Sequence, residues 1–310
     1  MEQYNFKNKE NSTIIYYKWG NNTKPKAIIQ LAHGMSEWAG RYDYFANKLV
    51  EEGYLVYGND HCGHGKSSEN IDKLGYLNGN DKFYTMVEDI KHLNDIIKNE
   101  NKDIPIILFG HSMGSFLSQR YLEEYGDTID GLILSGSNGK PKFFTKIGLL
   151  VCKLEILLKG TGNRSKLMDK LSFGGFNSSV KNPQTDFDWL CSEKAEVDKY
   201  IKDEFCGFIY PTEFYQDLIN GLWDIHKEEN LNKIKKIDIP IYILAGDRDP
   251  VGYFGKGILN LYNTYKKLGV KDLNYKLYKE GRHEMLNEIN KDVVIKEIVY
   301  WINSHNFCWY

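Results

Sequence analysis

Residues 106–114 read Ile106-Ile107-Leu108-Phe109-Gly110-His111-Ser112-Met113-Gly114. The first four are a continuous apolar run of strand length, as expected of a strand buried on both faces of a parallel sheet. Helical periodicity resumes over Ser115–Glu124. Between strand and helix lies a serine with a glycine two residues away on each side. That strand–turn–helix setting is what gives a G-x-S-x-G match meaning. The serine must sit on a tight turn with an unfavourable backbone, where neighbouring Cβ atoms would clash. The helix that follows aims its first N–H groups at the turn and favours negative charge developing there. Ser112 is therefore a candidate nucleophile.

Outward from this stretch the same alternation continues. Strands are expected at Tyr4–Lys7, Ile14–Trp19, Ala27–Ala32, Leu55–Asn59, Ile106–Gly110, Gly131–Ser135, Ile241–Ala245 and Asn274–Tyr278, with helices at Tyr42–Glu52 and Phe83–Asn99. Strands alternating with helices predict a doubly wound, mostly parallel eight-stranded α/β sheet flanked by helices. The alternation lapses between about Asn138 and Thr212, a stretch without a clear strand. A helical insertion divides the chain there, giving a first core part at 1–137, an insertion at 138–212 and a second core part at 213–310.

A serine nucleophile needs a base, and the base needs an orienting acid. Beyond the strand at 241–245 comes Gly246-Asp247-Arg248-Asp249-Pro250, so both aspartates stand at the sheet's ligand-binding edge. One of them is expected only to cap the loop. Beyond the strand at 274–278 comes Gly281-Arg282-His283-Glu284, and His283 is the last histidine in the right order after the right strand. At the end of Ala27–Ala32, His33-Gly34-Met35 offers a backbone N–H at Met35 that could converge with that of Met113 on an oxyanion. Gly34 allows the close approach. His33 reads as a structural histidine bridging loops. His61, Cys62 and His64 lie in a tight glycine-broken loop with no further ligand cluster, so no metal is expected, and no cofactor motif occurs.

Five motifs in this order, His33–Tyr42 (HGMSEWAGRY), Asn59–Ser67 (NDHCGHGKS), GHSMG, GDRDPV and GRHEMLNE, resemble those of the monoacylglycerol lipase and lysophospholipase-like α/β hydrolases, a group often placed with the serine aminopeptidases. The resemblance runs from about Lys26 to Ile302. It implies the α/β-hydrolase fold, with Ser112 as nucleophile, His283 as base and Met35 and Met113 as oxyanion donors. It also selects Asp249 over Asp247 as the acid, and makes 138–212 a mobile helical cap. In one place the chain departs from the pattern: Trp38 stands where the family often has a second histidine, which predicts a more apolar entrance.

Composition sets the bounds. The chain has 310 residues, 42% hydrophobic and 26% charged, with a net charge of −2. The near balance of charge and the lack of a basic stripe argue against a nucleic-acid partner. Cys62, Cys152, Cys191, Cys206 and Cys308 form no CxxC pair, so neither a disulfide framework nor a zinc ribbon is expected. The polar N-terminus lacks the apolar stretch of a secretory signal, which predicts a cytoplasmic protein. Phe143–Leu158 is strongly apolar but broken by Lys146, Lys153 and Glu155, too short and charged to span a bilayer. It is expected to pack on the core, line an acyl tunnel, or make transient contact with a membrane surface.

The expected function is cleavage of single-chain acyl esters, small molecules such as monoacylglycerols or lysophospholipids, through an acyl-enzyme. A proline-type aminopeptidase is the alternative within enzymes. It would need a carboxylate cluster for a substrate ammonium; Glu193, Glu196, Asp198, Asp203 and Glu204 are at hand, but their spacing reads rather as a solvated helix face. A non-catalytic lipid-binding protein is the alternative outside enzymes.

Overall fold

The apolar run at 106–109 becomes the middle of a sheet. Its side chains alternate, Ile106 and Leu108 entering one hydrophobic core and Ile107 and Phe109 the other, so both faces of the strand are buried and no polar position is tolerated. The computed structural model describes residues 1–305 and 307; Cys308 lies outside the described residues. The strands are β1 Glu2–Lys7, β2 Thr13–Trp19, β3 Ile28–Ala32, β4 Leu55–Asn59, β5 Ile106–His111, β6 Gly131–Ser135, β7 Ile241–Gly246 and β8 Leu273–Tyr278. They form one eight-stranded sheet in the order β1-β2-β4-β3-β5-β6-β7-β8. β1 and β2 pair antiparallel, as do β2 and β4, and the remaining pairs are parallel. This is the α/β-hydrolase architecture that the motifs predict.

The helices are α1 Asp43–Glu51, α2 Lys82–Glu100, α3 Met113–Tyr125, α4 Thr145–Lys159, α5 Lys166–Phe173, α6 Lys194–Lys202, α7 Thr212–Asp224, α8 Glu228–Ile234, α9 Lys256–Leu268 and α10 Lys291–Ser304. α1 and α10 cover one face of the sheet, while α2, α3 and α9 cover the other. The chain leaves β3 towards the first face and β5 towards the second. The crevice beyond the ends of these two neighbouring strands is therefore the topological switch point, where ligands of such sheets bind.

Between β6 and β7 the described residues contain no strand, only a bridge between Arg164 and Pro211. α4 lies along α7, close enough that a Cβ on Gly148 would come 3.0 Å from Ile219, and the Trp223 indole N–H donates to Thr145 Oγ1 at 2.9 Å. α4 buries only Cys152 and Glu155. Its apolar residues Ile147, Leu150, Leu154, Leu157 and Leu158, and Phe143 just before it, are all more than half exposed. No described helix is long and apolar enough to cross a membrane.

Candidate active site

Ser112 stands between β5 and α3 at φ 52°, ψ −121°, a backbone that costs a non-glycine residue on the order of 1–3 kcal/mol and persists only where its surroundings enforce it. Here the Ser112 N–H donates to Ser135 O on β6 at 2.9 Å. A serine in this N-cap position ordinarily turns its hydroxyl to the helix. Ser112 makes no such bond, so the hydroxyl is left for other chemistry. The flanking glycines answer to space. A Cβ on Gly114 would lie 2.0 Å from Ala32 O, and one on Gly110 would lie 2.4 Å from Ser118 Oγ and 2.5 Å from Gly114 O. The turn closes so tightly that α3 begins at Met113, two residues before the periodicity alone suggests.

Asp249 and His283 follow the ends of β7 and β8, and both are buried. His283 Nδ1 lies 3.0 Å from Asp249 Oδ1, which also accepts the Val251 N–H at 2.9 Å. With Nδ1 held by the carboxylate, Nε2 is the nitrogen available to a neighbour. Burial alone would push the His283 pKa down. The charge and hydrogen bond of Asp249 outweigh it, and the net shift is upward from the ordinary histidine value. The imidazole is held between the rings of His111, 4.7 Å away, and Trp189, 5.1 Å away. Asp247, by contrast, is half-exposed; it accepts the Glu280 N–H at 2.8 Å and lies 3.8 Å from Arg248. That is the loop-capping role foreseen for one of the two aspartates.

Met35 follows β3, across the crevice from Ser112. Among the described residues neither its N–H nor that of Met113 is donated to another backbone group outside helices and strands. Gly34 presses close, since a Cβ there would lie 2.7 Å from Glu37 Oε1 and 3.2 Å from the Ser112 Cβ. Its N–H donates to Glu37 Oε1 at 2.6 Å.

Glu37 introduces a buried ionic network that sequence reasoning did not single out. Arg41 forks onto Glu284, with Nη1 to Oε1 and Nη2 to Oε2 each at 2.8 Å, and also reaches Glu37. Tyr42 Oη donates to Glu37 Oε1 at 2.9 Å. Burial would raise Glu284, but Arg41 beside it holds the carboxyl down at about 2. The network fastens the loop carrying Met35 to the residue after His283. Charged residues set inside the two quoted motifs, HGMSEWAGRY and GRHEMLNE, were the available signal.

Ser112, His283 and Met35 line one cavity of about 520 Å³, the size of a small-molecule site. Phe173, Phe187, Trp189, Leu190, Phe208 and Ile209 supply its apolar wall, and Asp169, Lys170, Asn177 and Asp186 supply polar positions. One expectation, a more apolar entrance at Trp38, is corrected, and two readings left open by the sequence take no part in the wall. No residue of 143–158 lines this cavity; α4 turns its apolar side outward, and the wall comes from 173–209. Trp38 does not line it either. Its indole donates to Asp203 Oδ2 at 2.8 Å and packs on Phe205, with ring centres 5.5 Å apart, so the entrance is not made apolar by it. The carboxylates Glu193, Glu196, Asp198, Asp203 and Glu204 are likewise absent from the lining. Glu193 caps α6, and Glu196 pairs with Lys199 and Lys291.

His33, His61 and His64 cluster, with ring centres 4.1 to 6.0 Å apart. Most of their nitrogens serve loops: His33 Nε2 accepts the His61 N–H at 2.9 Å, and His64 Nδ1 donates to Cys62 O at 2.9 Å. Burial pushes the His61 pKa down to about 3.

A family model described as Serine aminopeptidase, S33, matches residues 23–290. A monoacylglycerol lipase of Mycolicibacterium smegmatis is 28% identical over 296 residues, covering 94% of this chain and 93% of the relative. A monoglyceride lipase of Mus musculus is 26% identical over 290 residues, covering 92% and 85%. Among solved structures, a thermostable carboxyl esterase from Bacillus coagulans in complex with glycerol superposes with a TM-score of 0.89 at 29% identity, covering 98% of each chain.

Proposed function

We propose, on the premise that this chain belongs to the serine aminopeptidase S33 family of hydrolases, that it is a serine carboxylic ester hydrolase acting on esters of one acyl chain, with Ser112, His283 and Asp249 as its catalytic triad. The observation that carries this reading is the shared cavity: a strained serine with an unused hydroxyl faces the same space as a histidine coupled to a buried carboxylate, and Phe173, Phe187, Trp189, Leu190, Phe208 and Ile209 give that space an apolar side. Ser112 Oγ attacks the ester carbonyl while His283 Nε2 takes its proton. Asp249 holds the productive tautomer and stabilises the imidazolium. The Met35 and Met113 N–H groups receive the oxyanion. His283 then protonates the departing alcohol, and water repeats the sequence on the acyl-enzyme. The insertion at 138–212 acts as a cap, its 173–209 part forming the acyl wall.

Relatives named as monoacylglycerol and monoglyceride lipases support a glycerol monoester or a similar single-chain lipid as substrate. The exposed apolar side of α4 supports transient contact with a membrane surface through the cap. Free thiols at Cys62, Cys152, Cys191 and Cys206 support a reducing, cytoplasmic setting.

The test is a panel of p-nitrophenyl esters, monoacylglycerols, lysophospholipids and aminoacyl amides, run beside fluorophosphonate labelling. The wild type should cleave the esters and take the label. Ser112→Ala should fold, lose the label, and lose about 10⁴–10⁶-fold in kcat. Faster cleavage of prolyl amides than of any ester, or full activity in folded Ser112→Ala, rejects the proposal.

A further inference from the structure

The residue after Met35 is held more firmly than a turn requires. Ser36 lies at φ 54°, a left-handed conformation that costs a residue with a Cβ roughly 1–2 kcal/mol. Four hydrogen bonds keep it there, and all come from residues 200–210. The Ser36 N–H donates to Tyr210 Oη at 2.7 Å, and its hydroxyl donates to Phe208 O at 2.9 Å. Its carbonyl accepts from the Tyr200 hydroxyl at 2.9 Å and from the Gly207 N–H at 3.0 Å.

Of these partners Tyr210 is itself held from a second loop, that of His64. It is fully buried. On its far side the hydroxyl meets His64 Nε2 at 2.5 Å. His64 Nδ1 is engaged with Cys62 O, a group that only accepts, so the ring proton sits on Nδ1 and Nε2 carries a lone pair. Burial pushes the His64 pKa down to about 4, so the ring stays neutral at ordinary pH. The Tyr210 proton is therefore committed to His64, and only lone pairs remain to face Ser36. An amide N–H is the partner they need. The direction of every bond from Cys62 to Ser36 is thus determined.

The consequence falls on Met35. Its N–H direction is set by the two peptides on either side of it. On one side the Gly34 N–H is held by Glu37. On the other the Ser36 N–H is held by Tyr210. We propose that Tyr210, oriented by His64, is a positioning residue of the oxyanion hole: it fixes the left-handed turn at Ser36 and with it the aim of the Met35 N–H. This rests on the ester-hydrolase reading for its effect on rate, and on the structure alone for its effect on the loop.

Tyr210→Phe tests it. The ring stacks on Phe214 at 3.9 Å and leans on Phe208 at 4.8 Å, and phenylalanine preserves both contacts. An oxyanion donor acts in the transition state, so its misplacement should appear in kcat. We expect kcat on a soluble short-chain ester to fall about 10- to 100-fold with KM within about twofold. Amide exchange followed by mass spectrometry should quicken at least about tenfold over 33–37, where a buried bond is lost, and stay unchanged over α3. Wild-type kcat, a loss confined to KM, or wild-type exchange over 33–37 in the folded variant overturns the proposal. His64→Leu leaves Tyr210 in place but removes its acceptor, and kcat should fall in the same sense. Should Tyr210→Phe not fold, wild-type kcat in His64→Leu overturns the proposal instead. If the wild type cleaves no ester, the functional reading fails by itself and the exchange measurement still decides this one.

Discussion

His283 sets the pH dependence of the proposed chemistry, because only a neutral imidazole can take the Ser112 proton. Its pKa is raised by Asp249 against the downward push of burial. A raised value leaves more of the base protonated at a given pH, so activity should climb with pH through a midpoint above about 6.5, the ordinary histidine value. Asp249→Asn removes the charge that lifts it. The midpoint should then move to lower pH while kcat falls about 10³–10⁴-fold, since the tautomer is no longer held. Asp247→Asn, which touches only a half-exposed loop bond, should do neither. A pH–rate profile of kcat for the three proteins checks both, and equal losses in the two variants would assign the acid wrongly. At this scale much was legible in the sequence. The glycines flanking Ser112 encode the absence of space for a Cβ, which any reader can infer from strand, turn and helix. The choice between Asp247 and Asp249 was not legible from spacing, because both follow β7 and only the backbone's path beyond Gly246 turns one inward. Glu37, Arg41 and Glu284 were hidden for another reason: a buried ion pair between residues 243 positions apart has no local pattern.

α4 shows what periodicity conceals. Its apolar residues were visible, and so was their excess over what one narrow buried face needs, but nothing local says which side meets the protein. The structure buries the side bearing Cys152 against α7 and leaves Phe143, Ile147, Leu150, Leu154 and Leu157 in a solvent-facing line, with Leu167 and Leu171 of α5 also exposed. Lys146 and Lys153 lie within the same helix, a composition suited to the boundary between head groups and acyl chains. We expect Leu150→Glu, Leu154→Glu and Leu157→Glu together to weaken binding to phospholipid vesicles at least tenfold, each buried leucine contributing about 1.5–3 kcal/mol at most. Hydrolysis of a water-soluble short ester should remain within about twofold, since none of the three lines the cavity. Vesicle sedimentation and ester assays on one preparation separate the two effects. Unchanged sedimentation would show that this side is merely exposed.

Across the whole molecule, the sheet was read nearly strand for strand because its central members are buried on both faces and are mostly apolar. The cavity was not, because its wall is assembled from Phe173, Phe187, Trp189, Leu190, Phe208 and Ile209, residues spread over loops and helix ends without a common period. That wall gives a quantitative expectation. Each methylene of an acyl chain placed against it should contribute roughly 0.8 kcal/mol, close to a fourfold gain in affinity. kcat/KM for monoesters below their micelle concentrations should therefore rise from two carbons until about 520 Å³ is filled, and esters carrying a second chain should be poor. A maximum at two carbons would rule out the lipid substrate. Assembly in time follows from the same layout. Ser112 leans on β6, which comes directly after α3, whereas β7 can pair with β6 only when the excursion over 136–240 is closed. Pairing over so long a loop is slow, for its entropy is lost before any contact is gained. Asp249 and His283 lie beyond that loop, whereas the contacts that shape the turn at Ser112 all come from chain up to β6. The bend at Ser112 thus belongs to the first half of the chain and its proposed partners to the second, and the long excursion between them is the tether that must close before the two halves can act as one site.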